Sequence, residues 1–351
     1  MWRSVLVLAG LFVGLSLLDR SEASDPGLAI EALVDPELAA SLTIAAIEFH
    51  EPAREETLLY ARSKGMWRCA STFGAVCDHE QMTELLHGFT RAHGVVRTED
   101  PALAADFGFT TDEMFRVSFH GPKVLEDPDR DVLLSFDVGR ALPGARNGRS
   151  FVRATGSDVI HEIDHDVRPL LERPSTKTIP PLMDRRILAG PWENRALGFD
   201  RLVIERANGV NTEIRLIDVE PEGPDQPAWA WRVTEGAKSG NAPYHRALGY
   251  TSFALQATYS GFANPNEAAD LGLVPAAARV RMEPTDGEVI ELVIGRPSPR
   301  GATSILHRQT KMLMQTDAET ARLFMPDAAT LLDPDLSNPW ELWLTPGDSR
   351  R

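Results

Sequence analysis

Cysteine and positive charge are scarce in this 351-residue chain, which has two cysteines and 36 lysines and arginines against 51 aspartates and glutamates. The formal net charge of −15 repels phosphate backbones, so we expect no nucleic-acid partner. The sequence has no block of five or more like charges, no low-complexity tract and no phosphate-binding loop of the P-loop or G-x-G-x-x-G type. What remains is an ordinary globular composition, with 43% hydrophobic residues and a length that suggests two folded units.

The N-terminus contains an uncharged apolar run from Ser4 to Leu18, which follows the basic start Met1-Trp2-Arg3. The run is shorter than the roughly 20 residues that cross a bilayer, but it is long enough for the core of a signal peptide. Small residues around Ala23 suit cleavage after that position. Residues 1–23 are therefore predicted to be a signal peptide or an N-terminal membrane anchor. We expect a single-pass protein of the cytoplasmic membrane with its bulk in the periplasm, or, as the alternative, a periplasmic protein released by cleavage.

Three short motifs occur twice in the same order, and this indicates an internal duplication. They are Trp67-Arg68, Phe107-Gly108-Phe109 and Gly139-Arg140 in the first half, and Trp231-Arg232, Leu271-Gly272-Leu273 and Gly295-Arg296 in the second. The Trp-Arg and x-Gly-x motifs are the same number of residues apart in both halves, and each Gly-Arg pair ends a run of alternating apolar residues.

Each copy is predicted to be a mainly antiparallel sheet with one longer and one short helix, so the expected fold class is α+β. Asp78 is expected to cap the longer helix of the first copy, and the longer helix of the second copy is expected near residues 243–258. The predicted organisation is the N-terminal segment 1–23, repeat 1 at 42–173, a Pro-rich linker with one short helical turn at 174–198, repeat 2 at 199–334, and a C-terminal tail at 335–351.

His161-Glu162-Ile163-Asp164-His165 matches H-E-x-x-H, the signature of zinc hydrolases. That motif needs both histidines on one face of a continuous helix, whereas Gly156 and Pro169 flank this stretch closely. Alignment of the two copies places Asp164 opposite Asp317, and each aspartate is expected to end a strand and cap a short helix. We therefore expect His161 and Glu162 on a strand, His165 in the first helical turn, and no metal site.

Cys69 and Cys77 permit a disulfide if the chain is exported, and two free buried thiols are the equal alternative. Trp67 and Trp231 could form a pair for ligand stacking, but matched positions in a duplicated β-unit favour two core anchors.

The chain resembles the bacterial domain of unknown function 4340 family. The resemblance rests on G-x-W-R at 65–68, on "SFVRATGSDVIHEID" at 150–164 and on "MDRRIL" at 183–188, and it extends over about residues 42–334. It implies a membrane-anchored protein exposed outside the cytoplasmic membrane, in a complex with an ABC-type transport system of the kind linked to gliding motility. No catalytic residues are established for this family, so the resemblance assigns none.

We therefore expect a non-enzymatic extracytoplasmic accessory or binding protein of a membrane transport or envelope system, without a cofactor. The alternative is a zinc-dependent hydrolase in which His161 and His165 bind the metal and Glu162 is the general base. A structural envelope protein without a ligand is a third hypothesis.

Overall fold

The computed structural model describes two large antiparallel β-sheets and a few short helices. The described residues are 30–122, 132–142, 149–172, 179–189, 199–221, 227–264, 266, 271–285 and 287–343.

The first sheet has ten strands. They are β1 (Ile30–Ala32), β2 (Ala46–Glu51), β3 (Glu56–Ser63), β4 (Met66–Cys69), β5 (Ala75–Val76), β6 (His93–Thr98), β7 (Phe115–His120), β8 (Val132–Ala141), β9 (Ser150–Ala154) and β10 (Ile160–Ile163).

The second sheet has nine strands. They are β11 (Phe199–Arg206), β12 (Asn211–Asp218), β13 (Trp229–Glu235), β14 (Lys238–Ala242), β15 (Gly261–Phe262), β16 (Ala278–Pro284), β17 (Ile290–Ile294), β18 (Ala302–His307) and β19 (Met312–Asp317).

The α-helices of the described residues are short. They are α1 (Pro36–Ser41), α2 (His79–Thr90), α3 (Arg168–Leu171), α4 (Tyr244–Gln256), α5 (Ala318–Leu323) and α6 (Ala328–Leu332). Asp78 accepts hydrogen bonds from the backbone N–H groups of Glu80 and Gln81, so the predicted cap of α2 is confirmed. The helix expected near residues 243–258 is present as α4.

The two sheets have the same strand order. The first runs β1-β6-β10-β9-β8-β7-β2-β3-β4-β5, and the second, read from its β15 end, runs β15-β19-β18-β17-β16-β11-β12-β13-β14. Each strand from β2 to β10 thus corresponds to the strand numbered nine higher, and only β1 lacks a counterpart among the strands of the second sheet. This is the arrangement that a tandem duplication predicts. We call β1–β10 with α1–α3 module 1, and β11–β19 with α4–α6 module 2.

The α+β class predicted from the sequence is wrong, because the protein is predominantly β. The sheets of ten and nine strands contain most of the regular structure, and the longest helix has 13 residues. Very short strands such as β5 and β15, each of two residues, have no detectable periodicity, so the strand content is underestimated from the sequence.

The repeated glycines allow two backbone segments to cross in contact. A Cβ atom on Gly139 would lie 2.2 Å from the carbonyl oxygen of Phe107, and one on Gly295 would lie 2.7 Å from that of Leu271. Gly108, next to Phe107, has a φ of 82°, which side chains disfavour. The x-Gly-x and Gly-Arg motifs therefore form one structural contact that occurs once in each module.

Trp67 and Trp231 occupy matched positions on β4 and β13, and both are buried, with exposed fractions of 7% and 3%. The interpretation of these residues as core anchors is confirmed.

Residues 179–189, which we call the strap, join the two modules. They belong to the predicted linker 174–198, and most of them are buried, in turns and isolated β-bridges, with no helix within residues 179–189. The backbone N–H of Asp184 donates to the carbonyl of Val76 in module 1 (3.1 Å), and that of Ile187 donates to the carbonyl of Ala257 in module 2 (2.8 Å). The backbone groups and apolar side chains of the strap thus find partners that are distant in sequence.

Each module is also contacted by a segment that precedes its first repeated strand. Glu31 on β1 pairs with Gly94 in module 1, and Arg186 in the strap pairs with Thr258 in module 2. Gly94 lies in β6, the strand that follows the longer helix of module 1, whereas Thr258 lies between the longer helix of module 2 and β15. In module 1, β1 thus covers the β6 edge of the sheet, which protects that edge from pairing with other chains, whereas in module 2 the strap pairs with residues just before the edge strand β15.

One hydrophobic core is shared by both modules and the strap. It includes Phe49 and Phe89 of module 1, Leu182 of the strap, and Phe253 and Phe324 of module 2. The tail predicted at 335–351 begins in this core, since Trp340 is fully buried. We therefore expect the modules to unfold together.

The predicted N-terminal segment, residues 1–23, lies outside the described residues. Among the residues that are described, no helix combines the length and the apolar character needed to cross a membrane.

Candidate functional site

The H-E-x-x-H sequence lies on a strand and the turn after it. β10 contains His161 and Glu162, so this part of the prediction is confirmed. Neighbouring residues of a strand point to opposite faces of the sheet, and the two side chains are therefore directed away from each other. A zinc hydrolase needs two imidazoles one helical turn apart and a carboxylate beside them, and this strand does not provide that geometry.

Glu162 is fixed by two arginines. Arg97 Nε donates to one carboxylate oxygen at 2.7 Å and Arg149 Nη1 donates to the other at 2.6 Å. The Glu162 side chain is only 5% exposed. Both carboxylate oxygens therefore accept from arginines, which hold the Glu162 side chain in place.

His161 is partly buried between the neighbouring strands β6 and β9, where it pairs with Val96 and Val152. Burial lowers its pKa, with a smaller opposing effect from Glu31. The Nδ1 atom is buried and has no hydrogen-bond partner among the described residues.

Asp164 does not cap a helix, and His165 does not begin one, so both predictions are wrong. The helix α3 starts only at Arg168, with Val167 at its N-cap position. Asp164 instead accepts a hydrogen bond from the backbone N–H of His93 at 3.0 Å and lies 2.9 Å from His165 Nδ1. Burial alone would raise the pKa of Asp164, but the hydrogen bonds from His165 and His93 outweigh it and lower the pKa.

In module 2 the corresponding prediction is confirmed, because Asp317 caps α5 by accepting from the backbone N–H of Thr320 at 2.7 Å. The two aspartates at matched positions therefore have different roles: Asp317 starts a helix, and Asp164 fixes a histidine.

His165 lines an open groove of about 490 Å³ on the polar side of α2. The lining residues are His79, Glu80, Thr83, Glu84, His87 and His165. The opposite side of α2 faces the core through Met82, Leu85, Gly88 and Phe89. Amphipathic spacing thus buries one face of the helix and leaves imidazoles and carboxylates on the other.

Gly88 brings His165 to the groove. A Cβ atom at Gly88 would lie 2.5 Å from Val167 Cγ1 and 3.9 Å from His165 Cβ. The absence of a side chain at Gly88 therefore allows the 164–167 turn to pack against α2. The groove was not predicted from the sequence, although three of its residues have a spacing that places them on one helical face. Glu84 follows Glu80 by four residues, and His87 follows Glu84 by three.

Within the described ranges, no three His, Cys, Asp or Glu side chains already converge in a way that could hold a metal ion. The groove presents donor groups along its walls, and it is the candidate site on this molecule.

Cys69 and Cys77 are free, buried thiols in the structure. Cys69 is opposite Ala75, whereas Cys77 donates its backbone N–H to the carbonyl of Trp67 at 2.9 Å. The two cysteines are therefore diagonal neighbours, about 7–8 Å apart, beyond the Cα separation of about 4.4–6.8 Å that a disulfide requires. Burial raises the pKa of both thiols.

We expect the double substitution Cys69→Val with Cys77→Ala to change the free energy of unfolding by less than about 1.5 kcal/mol. The reason is that module 2 has Val233 and Ala242 at the matched positions, both buried. Denaturant titration gives the stability, and a thiol reagent should label the wild-type protein only after unfolding. A disulfide in the oxidised wild-type protein, together with a large loss of stability in the double variant, would contradict this.

His307 is a buried titratable group at the contact between the modules. It is 1% exposed, and its Nε2 atom has no hydrogen-bond partner among the described residues. Nearby, Arg68 of module 1 donates to the carbonyl of Thr310 in module 2 at 3.0 Å. Burial, with a smaller contribution from Arg68, lowers the pKa of His307 from 6.5 to about 4.

We predict that stability falls by about 3 kcal/mol between pH 6.5 and pH 4 because of His307. In this range the His307 side chain binds a proton in the unfolded chain and does not bind one in the folded protein. Its contribution to the free energy of unfolding is therefore complete above pH 6.5 and is lost as the pH falls toward 4. Denaturant unfolding at a series of pH values checks this, with His307→Gln as the non-titrating control. An unchanged pH dependence in the variant would contradict the prediction.

Comparisons with models of protein families, with curated proteins and with solved structures found no match for this chain.

Proposed function

We propose that the protein is a non-enzymatic binding or accessory protein that acts outside the cytoplasmic membrane, with a transport or envelope system of that membrane. The observation that carries the non-enzymatic part is the position of Glu162. The residue that would be the general base of the hydrolase hypothesis is buried and bound to two arginines. The placement outside the membrane is supported by the apolar N-terminal segment.

The other sequence motifs also have structural roles. The repeated glycines permit close backbone contact, and the two matched tryptophans are core residues. These structural roles explain the repeated motifs, so the motifs do not require a catalytic role. The transport partner is proposed from the resemblance described above.

Affinity purification of the full-length protein from detergent-solubilised membranes of its native host tests the proposal. We expect the permease or ATP-binding subunit of a transporter, or an envelope assembly component, to copurify. An unrelated tagged single-pass protein is the control. Recovery of no such component beyond this control would contradict the proposed role.

Metal analysis distinguishes this proposal from the zinc hydrolase. We expect His161→Ala to leave the metal content of the purified protein unchanged. Stoichiometric zinc that is lost in this variant would overturn the non-enzymatic assignment. Sequencing the N-terminus of the mature protein separately distinguishes an anchor from a cleaved signal peptide.

A further inference from the structure

We propose that the outer face of the second sheet docks an acidic segment of a partner protein through Arg201, Arg215, Arg232 and Arg281. We call these four residues the arginine face. The proposal is independent of the transport role, because it concerns the chemistry that this surface recognises and not the system in which the protein acts.

The arginine face brings like charges together on neighbouring strands. Arg215 on β12 is directly opposite both Arg232 on β13 and Arg201 on β11. Directly opposite residues have Cβ atoms about 4.5–5.5 Å apart, and like charges at such positions destabilise a sheet. A row of three arginines is thus unfavourable for the sheet alone, and anionic groups of a partner would relieve the repulsion.

Two glutamates orient the arginine face without neutralising it. Glu213 Oε1 accepts hydrogen bonds from Arg201 Nε and Arg215 Nε, each at 2.7 Å. Glu283 Oε1 accepts from Arg281 Nε at 3.1 Å and from Arg201 Nη1 at 3.4 Å. Four guanidinium groups thus share two carboxylates, which leaves an excess of two positive charges.

The guanidinium groups are accessible. The side chains of Arg215 and Arg281 are 58% and 57% exposed. Among the described residues, these two arginines donate hydrogen bonds only through Nε. The two Nη groups of each are therefore directed to solvent, where they can donate paired hydrogen bonds to a carboxylate.

The same face is buried in module 1. Counting along the strand register from the matched tryptophans places Ala46, Ala61, Arg68 and Ser118 at the four corresponding positions. Ala46, Ala61 and Ser118 are 7%, 5% and 8% exposed, and Arg68 donates to the carbonyl of Thr310 in module 2 at 3.0 Å. This face of the repeat is therefore covered in module 1, and the copy in module 2 is exposed and cationic.

The charges around the arginine face favour a short acidic segment as its partner. Flanking charges balance each other, since Arg279 is directly opposite Glu205 and Arg308 Nε lies 3.6 Å from Glu291 Oε1. The whole chain has a formal net charge of −15, which repels an extended anionic surface such as a lipid bilayer. A segment with a few carboxylates contacts the arginines alone and meets less of this repulsion.

Fluorescence anisotropy of a labelled oligoglutamate peptide with the purified protein tests the proposal. We expect saturable binding at low ionic strength that weakens as salt is added, and no binding of an oligolysine peptide of equal length. Arg215→Gln and Arg281→Gln should each weaken binding about fivefold, and the double variant should weaken it at least tenfold. Because both side chains are exposed, thermal unfolding should show that the variants remain folded.

The matched control is Arg62→Gln, which removes an exposed positive charge from β3 of module 1 and should bind the peptide as the wild-type protein does. The proposal is overturned if the peptide does not bind, if the folded single variants bind it normally, or if Arg62→Gln weakens binding equally. Phosphatidylglycerol vesicles should not bind. If they bind the wild-type protein but not the double variant, the surface recognises lipid and the proposal is also overturned.

Discussion

Replacing Gly139 with alanine should lower the free energy of unfolding by about 3 kcal/mol or more. The added methyl group would lie 2.2 Å from the carbonyl oxygen of Phe107 and about 3.1 Å from the ring of Phe109. Because the obstructing oxygen belongs to the backbone, the crossing segment has to move as a whole. Urea titration of the variant and of the wild-type protein measures the difference.

Gly295→Ala and Gly121→Ala are the matched comparisons for this substitution. Gly295 has the same role in module 2, where the added methyl group would lie 2.7 Å from a carbonyl oxygen, so its replacement should also be strongly destabilising. Gly121 lies just after β7 with its nearest neighbour at 3.6 Å, an ordinary contact, and its replacement should cost less than about 1 kcal/mol. Equal effects at Gly139 and Gly121 would show that the repeated glycine has no special structural role.

Replacing Arg246 with alanine should destabilise the protein by about 3–5 kcal/mol. Arg246 on α4 is 1% exposed, and it donates hydrogen bonds to the carbonyl oxygens of Thr330, Asp333 (2.6 Å) and Leu336 (2.5 Å). The substitution would leave these acceptors without their donor and would open a cavity beneath the C-terminal segment. Thermal and urea unfolding measure the loss.

Arg232→Ala is the control, because Arg232 lies on the exposed side of β13 and donates only to the Asn241 side chain among the described residues. Its replacement should change stability by less than about 0.5 kcal/mol. If Arg246→Ala were as stable as this control, the C-terminal segment would not be anchored through the arginine.

The repeat was predictable from the sequence because its markers occupy places where the geometry is strict. A large core side chain such as Trp67 and a glycine beneath a crossing backbone such as Gly139 tolerate few substitutions, so they remain recognisable in both halves. The strand that contains His161 and Glu162 was predicted for a similar reason, since its alignment with module 2 indicated where the strand ends.

The fold class and the strap were not predictable in the same way. The strap is proline-rich and resembles a linker in its sequence, and its burial depends on contacts such as that between the backbone N–H of Asp184 and the carbonyl of Val76.

The groove was not predicted because it depends on the approach of Val167 to Gly88, two residues that are far apart in the chain. Asp164 shows the same limit: local sequence indicated a helix cap, and a contact with His93 prevailed.

Native-state hydrogen exchange of Gly139→Ala tests most directly whether the two modules form one cooperative structure. The shared core and the strap predict that amides of β3 in module 1 and β12 in module 2 lose the same amount of protection, equal to the global loss of stability. If β3 lost protection and β12 kept that of the wild-type protein, the two modules would unfold independently, and this account of the fold would be contradicted.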